Sequence, residues 1–185
     1  MPDQINGLLS PFLRTIRINA ARPHLRGDIL DYGCDVGALS IYIENSKYVG
    51  VDIDKESIGI ATKTYPNYSF HTLGSFRTNK KFDTIVGLAL IEHIKDPKSF
   101  LIELKSYLNK DGRIVLTTPH PYVDKIHFYG SRIGLFSQNA EDEHESLIDF
   151  AKMASLTEAS GLEIYLYKRF LLGTNQLFIL EQKYA

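Results

Sequence analysis

The chain has 185 residues, 44% hydrophobic and 23% charged, with a formal net charge of −1. That balance fits one soluble globular domain and argues against a basic surface for nucleic acid. The single cysteine, Cys34, excludes an internal disulfide and suits a reducing compartment, so a cytoplasmic location is expected. The longest apolar run, residues 85–91, is too short to cross a bilayer, and the first residues lack a basic segment followed by an apolar core.

Residues 1–27 form an N-terminal helical segment. Ser10 and Pro11 read as an N-cap and first helical residue, and Arg22-Pro23 as the stop. Phe12, Leu13, Ile16 and Ala20 fall on one helical face, with Arg14 and Arg17 mostly off it. The arginines at 14, 17, 22 and 26 read as a solvated face or as a greeting for an anionic substrate.

Residues 28–40 carry the most information. Ile29 and Leu30 end an apolar strand, Gly33 and Gly37 bound a turn, and Ala38, Leu39 and Ile41 are expected to begin a helix. A second strand, Tyr48-Val49-Gly50-Val51, ends in Asp52. Strand, glycine turn, helix and strand ending in an acid is a nucleoside-binding arrangement, the carboxylate taking ribose hydroxyls. Asp31 and Asp35 crowd the turn with negative charge, which would repel a pyrophosphate and welcome a cation. S-adenosylmethionine has an ammonium, a sulfonium, a ribose and no phosphate. Asp31 would receive the ammonium and Asp52 the ribose.

Residues 55–64 read as a helix after an Asp54 N-cap, broken by Tyr65-Pro66-Asn67 and followed by a short strand at 68–71. Residues 84–88 are continuously apolar, as in a strand buried on both faces of a parallel sheet, and 89–94 should border the site. Asp96-Pro97 caps a helix with Phe100, Leu101, Leu104 and Leu108 inward, before a turn at 109–112 and a strand at 113–117. The irregular stretch 118–144, rich in aromatic residues and glycine, is expected to be a substrate lid. A helix at 145–160 with Leu147, Ile148, Ala151 and Ala154 inward should end at Gly161. Strands at 162–168 and 176–180 close the chain.

These motifs resemble the class I S-adenosylmethionine-dependent methyltransferases, in particular the small-molecule group that includes the ubiquinone-biosynthesis methyltransferases. Leu30 to Ser40 matches that family's Leu-Asp-x-Gly-Cys-Gly-x-Gly-x-Leu-Ser except that Asp35 stands in place of a glycine. Val49-Gly50-Val51-Asp52, residues 82–86, Ile91-Glu92-His93-Ile94 and residues 108–119 match in order. The resemblance implies a single domain with a Rossmann-like, doubly wound, mostly parallel sheet of seven strands, ending in an antiparallel hairpin. It implies a cofactor site of Asp31, Gly33, Cys34, Asp35, Gly37, Asp52, Ile53, Ser75, Phe76, Leu88 and Ala89. Ser75 and Phe76 stand where the family has an acid for the adenine; Ser75 could accept a hydrogen bond and Phe76 could flank the ring. Asp35 invites a positive φ and could crowd the methionine end.

The reaction expected is methyl transfer to a small-molecule acceptor, most simply at oxygen, with S-adenosylhomocysteine as product. A hydroxyl acceptor benefits from a base, and His93, His120, His127 and His144 are the candidates, with His93, His120 and His144 the foremost. His93 reads equally as a residue that orders its loop. Glu141-Asp142-Glu143 beside His144 reads as a solvated acidic turn, so no metal is expected. No nucleic-acid or membrane partner is expected, and the chain should be a monomer or homodimer. Two alternatives stay open. One is a non-catalytic methyltransferase-like protein with weakened cofactor binding, suggested by Asp35 and Ser75. The other is a nicotinamide-dependent oxidoreductase, disfavoured by the missing third glycine and the acids of the turn.

Overall fold

The structure, a computed structural model, describes residues 3–121 and 148–183. A seven-stranded sheet runs in the order β3-β2-β1-β4-β5-β7-β6. The strands are β1 (Ile29–Tyr32), β2 (Tyr48–Asp52), β3 (Ser69–Thr72), β4 (Phe82–Leu88), β5 (Leu108–Pro119), β6 (Leu162–Phe170) and β7 (Asn175–Gln182). β1 to β5 are parallel, and β7 runs antiparallel to both β5 and β6. The expected doubly wound sheet and C-terminal hairpin are both present.

The central strands are buried on both faces: β1 is covered along its whole length and β4 at Phe82, Thr84, Ile85, Val86 and Gly87. Among the described residues four α-helices accompany them: α1 (Asp3–Ala21), α2 (Lys55–Thr64), α3 (Pro97–Ser106) and α4 (Phe150–Ser160). Two of the N-caps read from sequence, Asp54 and Asp96, are made. The Asp54 carboxylate accepts from the Glu56 and Ser57 amides, and that of Asp96 from the Ser99 amide. Gly161 ends α4 at φ +67°, in the left-handed region that favours glycine.

One face of the sheet carries α3 and α4 over a core that includes Leu101, Leu104, Ile114, Met153 and Phe178. The other face carries α1, whose Ile18 and Ala21 pack with Ile29, Leu39, Val86, Val115 and Ile179.

Three expectations change. The helix anticipated after the glycine turn is not formed; residues 33–47 hold only two short 3-10 turns, Ser40–Tyr42 and Asn45–Lys47. The span is too short for a glycine turn, a multi-turn helix and a return to β2, and Ile41, Tyr42 and Ile43 are weak helix formers. α1 covers that face instead. Secondly, α1 begins at Asp3 and contains Pro11, rather than starting at a Ser10 cap. Its inward residues are Ile18 and Ala21, with Arg14 and Arg17 half-buried, while Phe12 is exposed. The stripe is rotated from the expected one because the sheet, rather than the apolar count, sets which side faces in. Thirdly, α4 begins at Phe150 with an Asp149 cap, and its buried residues are Met153, Thr157 and Ser160; Ala151 is exposed. Residues 122–147 of the expected lid and helix start, with His127, His144 and Leu147, lie outside the described residues.

Leu101 is fully buried between α3 and the sheet. Leu101→Ala is expected to cost about 3 kcal/mol of stability, read from urea unfolding.

Candidate active site

A cavity of about 740 Å³ opens beyond the carboxyl ends of β1, β2 and β4. This is where ligands enter a doubly wound sheet, because the strand order reverses here. The turn after β1 is held in place by its own backbone: the Gly33 and Cys34 amides both donate to the Val51 carbonyl of β2, at 2.8 and 3.0 Å. Gly33 has φ +79°, and a Cβ there would stand 3.1 Å from the Leu90 side chain, across the cavity wall. Gly37 serves packing rather than the cavity. It has φ +77°, and a Cβ would lie 2.6 Å from the Phe70 ring.

Five carboxylates line the cavity, Asp31, Asp35, Asp52, Asp96 and Glu103, and the first three converge on the turn after β1. Asp52 Oδ2 accepts from the Asp35 amide at 2.8 Å and Oδ1 from the Asp54 amide at 2.9 Å. A carboxylate has about four acceptor positions, so sites remain for hydroxyls of a ligand. Asp31 is buried and its Oδ2 accepts from the Tyr48 hydroxyl at 2.7 Å. Burial pushes the Asp31 carboxyl up to about 7; the Tyr48 bond opposes this, and the charges of Asp52 and Asp35 add to it. Asp35 has φ +49°, as its place in the turn requires, and Arg14 of α1 donates to its Oδ2 at 2.6 Å. Ala89, just after β4, also has positive φ, 55°, with its amide donating to Thr117 O at 2.8 Å. Strained residues of this kind cluster at ligand sites.

The matches to known proteins bear on what this cavity holds. A family described as "methyltransferase domain" matches residues 7–167. The chain belongs to that methyltransferase domain family. Membership carries the S-adenosylmethionine-dependent class with it, with S-adenosylmethionine as cofactor. Among curated relatives, a ubiquinone biosynthesis O-methyltransferase of Pelagibacter ubique is 26% identical over 126 residues, 63% of this chain and 52% of that protein. A tRNA U34 carboxymethyltransferase of Campylobacter curvus is 34% identical over 124 residues, 59% of this chain and 40% of that protein. The chain thus spans about half the length of the curated relatives it matches. Among solved structures, the magnesium protoporphyrin IX methyltransferase of Synechocystis, which has S-adenosylhomocysteine bound, superposes with TM-score 0.65 at 17% identity, over 96% of this chain and 83% of that one. A methyltransferase of Clostridium acetobutylicum gives TM-score 0.64 at 12% identity, over 85% and 84%.

The cavity residues of this methyltransferase suit such a cofactor. The free acceptor positions of Asp52 match a ribose diol. The bare Gly33 leaves room for close approach, and the acids of the turn favour a cation over a phosphate. Of the residues anticipated for the cofactor, Asp31, Gly33, Cys34, Asp35, Asp52, Ile53, Leu88 and Ala89 line the cavity. Gly37, Ser75 and Phe76 do not. Ser75 Oγ closes a local turn by donating to Thr72 O at 3.0 Å, and Phe76 is buried in the core against the His71 and Tyr107 rings. Leu73 lines the cavity in their place. The Cys34 thiol is buried and its pKa is pushed up, chiefly by burial, so it acts as packing.

Of the anticipated bases, the two that are described, His93 and His120, are not part of the lining. His93 is exposed in the 3-10 turn Ile91–His93 and outside the cavity lining. His120 follows β5, with its amide donating to Thr174 O at 2.8 Å, and burial lowers its pKa. It too is outside the lining.

A polar group whose pairing the sequence does not reveal sits on the α1 side. Arg17 lines the cavity and its Nε donates to Asn175 Oδ1 at 3.0 Å. Behind it Glu92 is buried, and neither Glu92 Oε2 nor the buried Thr118 hydroxyl has a hydrogen-bond partner. Burial raises the Glu92 pKa, with Thr118, His93 and Arg17 opposing. The sequence signal was present for Glu92, beside His93 in the motif. Arg17 is one of the arginines that read as a solvated face or a greeting for an anion, but its pairing with Asn175 carries no sequence signal, because the two meet across 158 residues. Among the described residues no group of His, Cys, Asp or Glu is arranged to hold a metal ion. No described helix is long and apolar enough to cross a membrane.

Because folding raises the Asp31 pKa from 3.8 to about 7, the native state binds a proton that the unfolded chain releases between those values. Stability contributed at Asp31 therefore falls as pH rises across that window. The isosteric Asp31→Asn should remove this loss. In urea titrations the variant is expected to gain on wild type on going from pH 4.5 to 7.5.

Proposed function

We propose that this chain transfers a methyl group from S-adenosylmethionine to an oxygen of a small-molecule acceptor. The observation that carries the reading is the acid-lined cavity at the strand ends, with Asp52 positioned by two backbone amides of the surrounding turns. The bound cofactor supplies a methyl group already activated by its sulfonium. The chain's own part is to bind, to orient and to exclude water.

Asp52 holds the ribose hydroxyls, and Asp31 faces the ammonium end. Asp31 meets that end as a carboxyl that gains or loses a proton near neutral pH, so its charge answers to the ligand's own. Leu73, Leu88 and Leu90 supply apolar wall and keep water out.

The oxygen acceptor is supported by what stands on the α1 side of the cavity. A hydroxyl must lose a proton as it is methylated, and a buried carboxyl whose pKa is raised is a better proton acceptor than an exposed one. Glu92 has that character; it lies outside the cavity lining, and its unpartnered Oε2 is the atom assigned to receive the proton by way of a bridging water. Arg17, which lines the cavity and carries a charge close enough to act on Glu92, orients the acceptor. His93 is left with an ordering role in its turn, its amide donating to Leu90 O at 3.0 Å. The similarity to ubiquinone biosynthesis O-methyltransferases supports oxygen over nitrogen or carbon.

Two outcomes are expected. In calorimetric titration with S-adenosylhomocysteine, Asp52→Ala should weaken binding at least about tenfold, roughly 1.4 kcal/mol. Absence of binding to the wild type up to millimolar ligand would sink the reading. With S-adenosylmethionine and a panel of catechols and other phenols, Glu92→Gln should lower turnover about a hundredfold while leaving S-adenosylhomocysteine affinity within about twofold. A variant as active as wild type would remove Glu92 from the chemistry.

A further inference from the structure

Asp35 occupies a position with φ +49°, where glycine would sit without strain. Its side chain is not idle. Arg14 Nη2 donates to Oδ2 at 2.6 Å, and the Ser57 hydroxyl shares its single proton between Oδ1 at 3.2 Å and Asp54 Oδ2 at 2.7 Å. Both Arg14 and Asp35 line the cavity, and their side chains are 36% and 47% exposed. A pair that wet is weak and can open.

The cofactor has one anionic group, the α-carboxylate of its methionine end. Of the two cavity arginines, Arg17 is assigned above to the acceptor, and Arg14, beside Asp35 on the turn, is the guanidinium assigned here to the ligand carboxylate. That guanidinium is engaged by a carboxylate of the chain itself. Asp35 and a ligand carboxylate at Arg14 repel each other and compete for the same guanidinium.

We propose that Asp35 is a built-in counter-ion for Arg14, which the carboxylate of the cofactor must displace, so that the pair holds the cavity in a self-blocked state. The inference rests on the cofactor reading above. Asp35 then keeps its Ser57 bond and its backbone bond to Asp52 while releasing Arg14. The block acts only on ligands with the amino-acid tail. A nucleoside thioether without that tail enters past an unbroken pair.

The test is calorimetric titration of the full chain with S-adenosylhomocysteine and with 5′-methylthioadenosine, which lacks the amino-acid tail. Asp35→Asn keeps the size and the tolerance for positive φ. It should tighten S-adenosylhomocysteine by roughly fivefold to tenfold, at the lower end of site-to-site coupling. It should shift 5′-methylthioadenosine by less than about twofold. In an Arg14→Gln background the same change should have no effect on either ligand. Asp35→Gly serves as the second variant, and thermal unfolding confirms that each is folded. Weaker S-adenosylhomocysteine binding in Asp35→Asn, or equal shifts for both ligands, would overturn the proposal, since Asp35 would then contact the ligand or merely shape the turn. If 5′-methylthioadenosine binds throughout and S-adenosylhomocysteine is indifferent to Asp35, this inference alone falls. If no form binds either ligand, the cofactor reading fails and takes this inference with it.

Discussion

Everything at the site depends on the parallel pairing of β2, β1 and β4. Ile29 stands opposite both Tyr48 and Thr84, so the three strands end together at one edge of the sheet. That register brings Asp31, Asp52 and Ala89 to a single cavity from positions far apart in the chain. The Gly33 and Cys34 amides then seal the arrangement by donating to Val51 O, which ties the first turn to the second strand. A one-residue slip would turn Asp31 and Asp52 to other faces, because side chains alternate along a strand.

The layers around the sheet are unequal. α3 and α4 make one thick face, while the opposite face near β1 relies on α1 from the beginning of the chain. The connection from β1 to β2 is too short to supply a helix of its own. α1 therefore has two tasks. Ile18 and Ala21 close the core, and Arg14 and Arg17, one turn and its neighbour along the same helix, reach the cavity. Covering the sheet and completing the site are done by one element, so core packing on this face and ligand geometry are coupled.

Charge gives the cavity its character. Asp31, Asp35 and Asp52 converge on one turn, and each is managed differently. Asp52 is fixed by two amides, Asp35 is paired with Arg14, and Asp31 is buried and driven toward its neutral form. Mutual repulsion is relieved by hydrogen bonding, by ion pairing and by protonation respectively. Outside the lining Glu92 is a further acid, buried with one oxygen unpartnered.

By itself the amino-acid sequence determined the sheet, its parallel character, the caps at Asp54, Asp96 and Gly161, and the cluster of acids around Gly33. These are local or periodic features: a capping side chain acts within a few residues, and continuous apolar runs announce burial wherever they lie. It also determined the family, since the matching motifs are short and stand in order. What only the tertiary structure decided is which surfaces meet. The helix after the glycine turn is missing because closure to β2 leaves too little chain. Phe76 goes to the core and Leu73 to the cavity because of how the turn after β3 is folded. Arg14 and Arg17 face inward because α1 docks by Ile18 and Ala21. Arg17 meets Asn175 across 158 residues, and no periodicity or motif can register a contact at that separation, because nothing along the intervening chain need change for it to form.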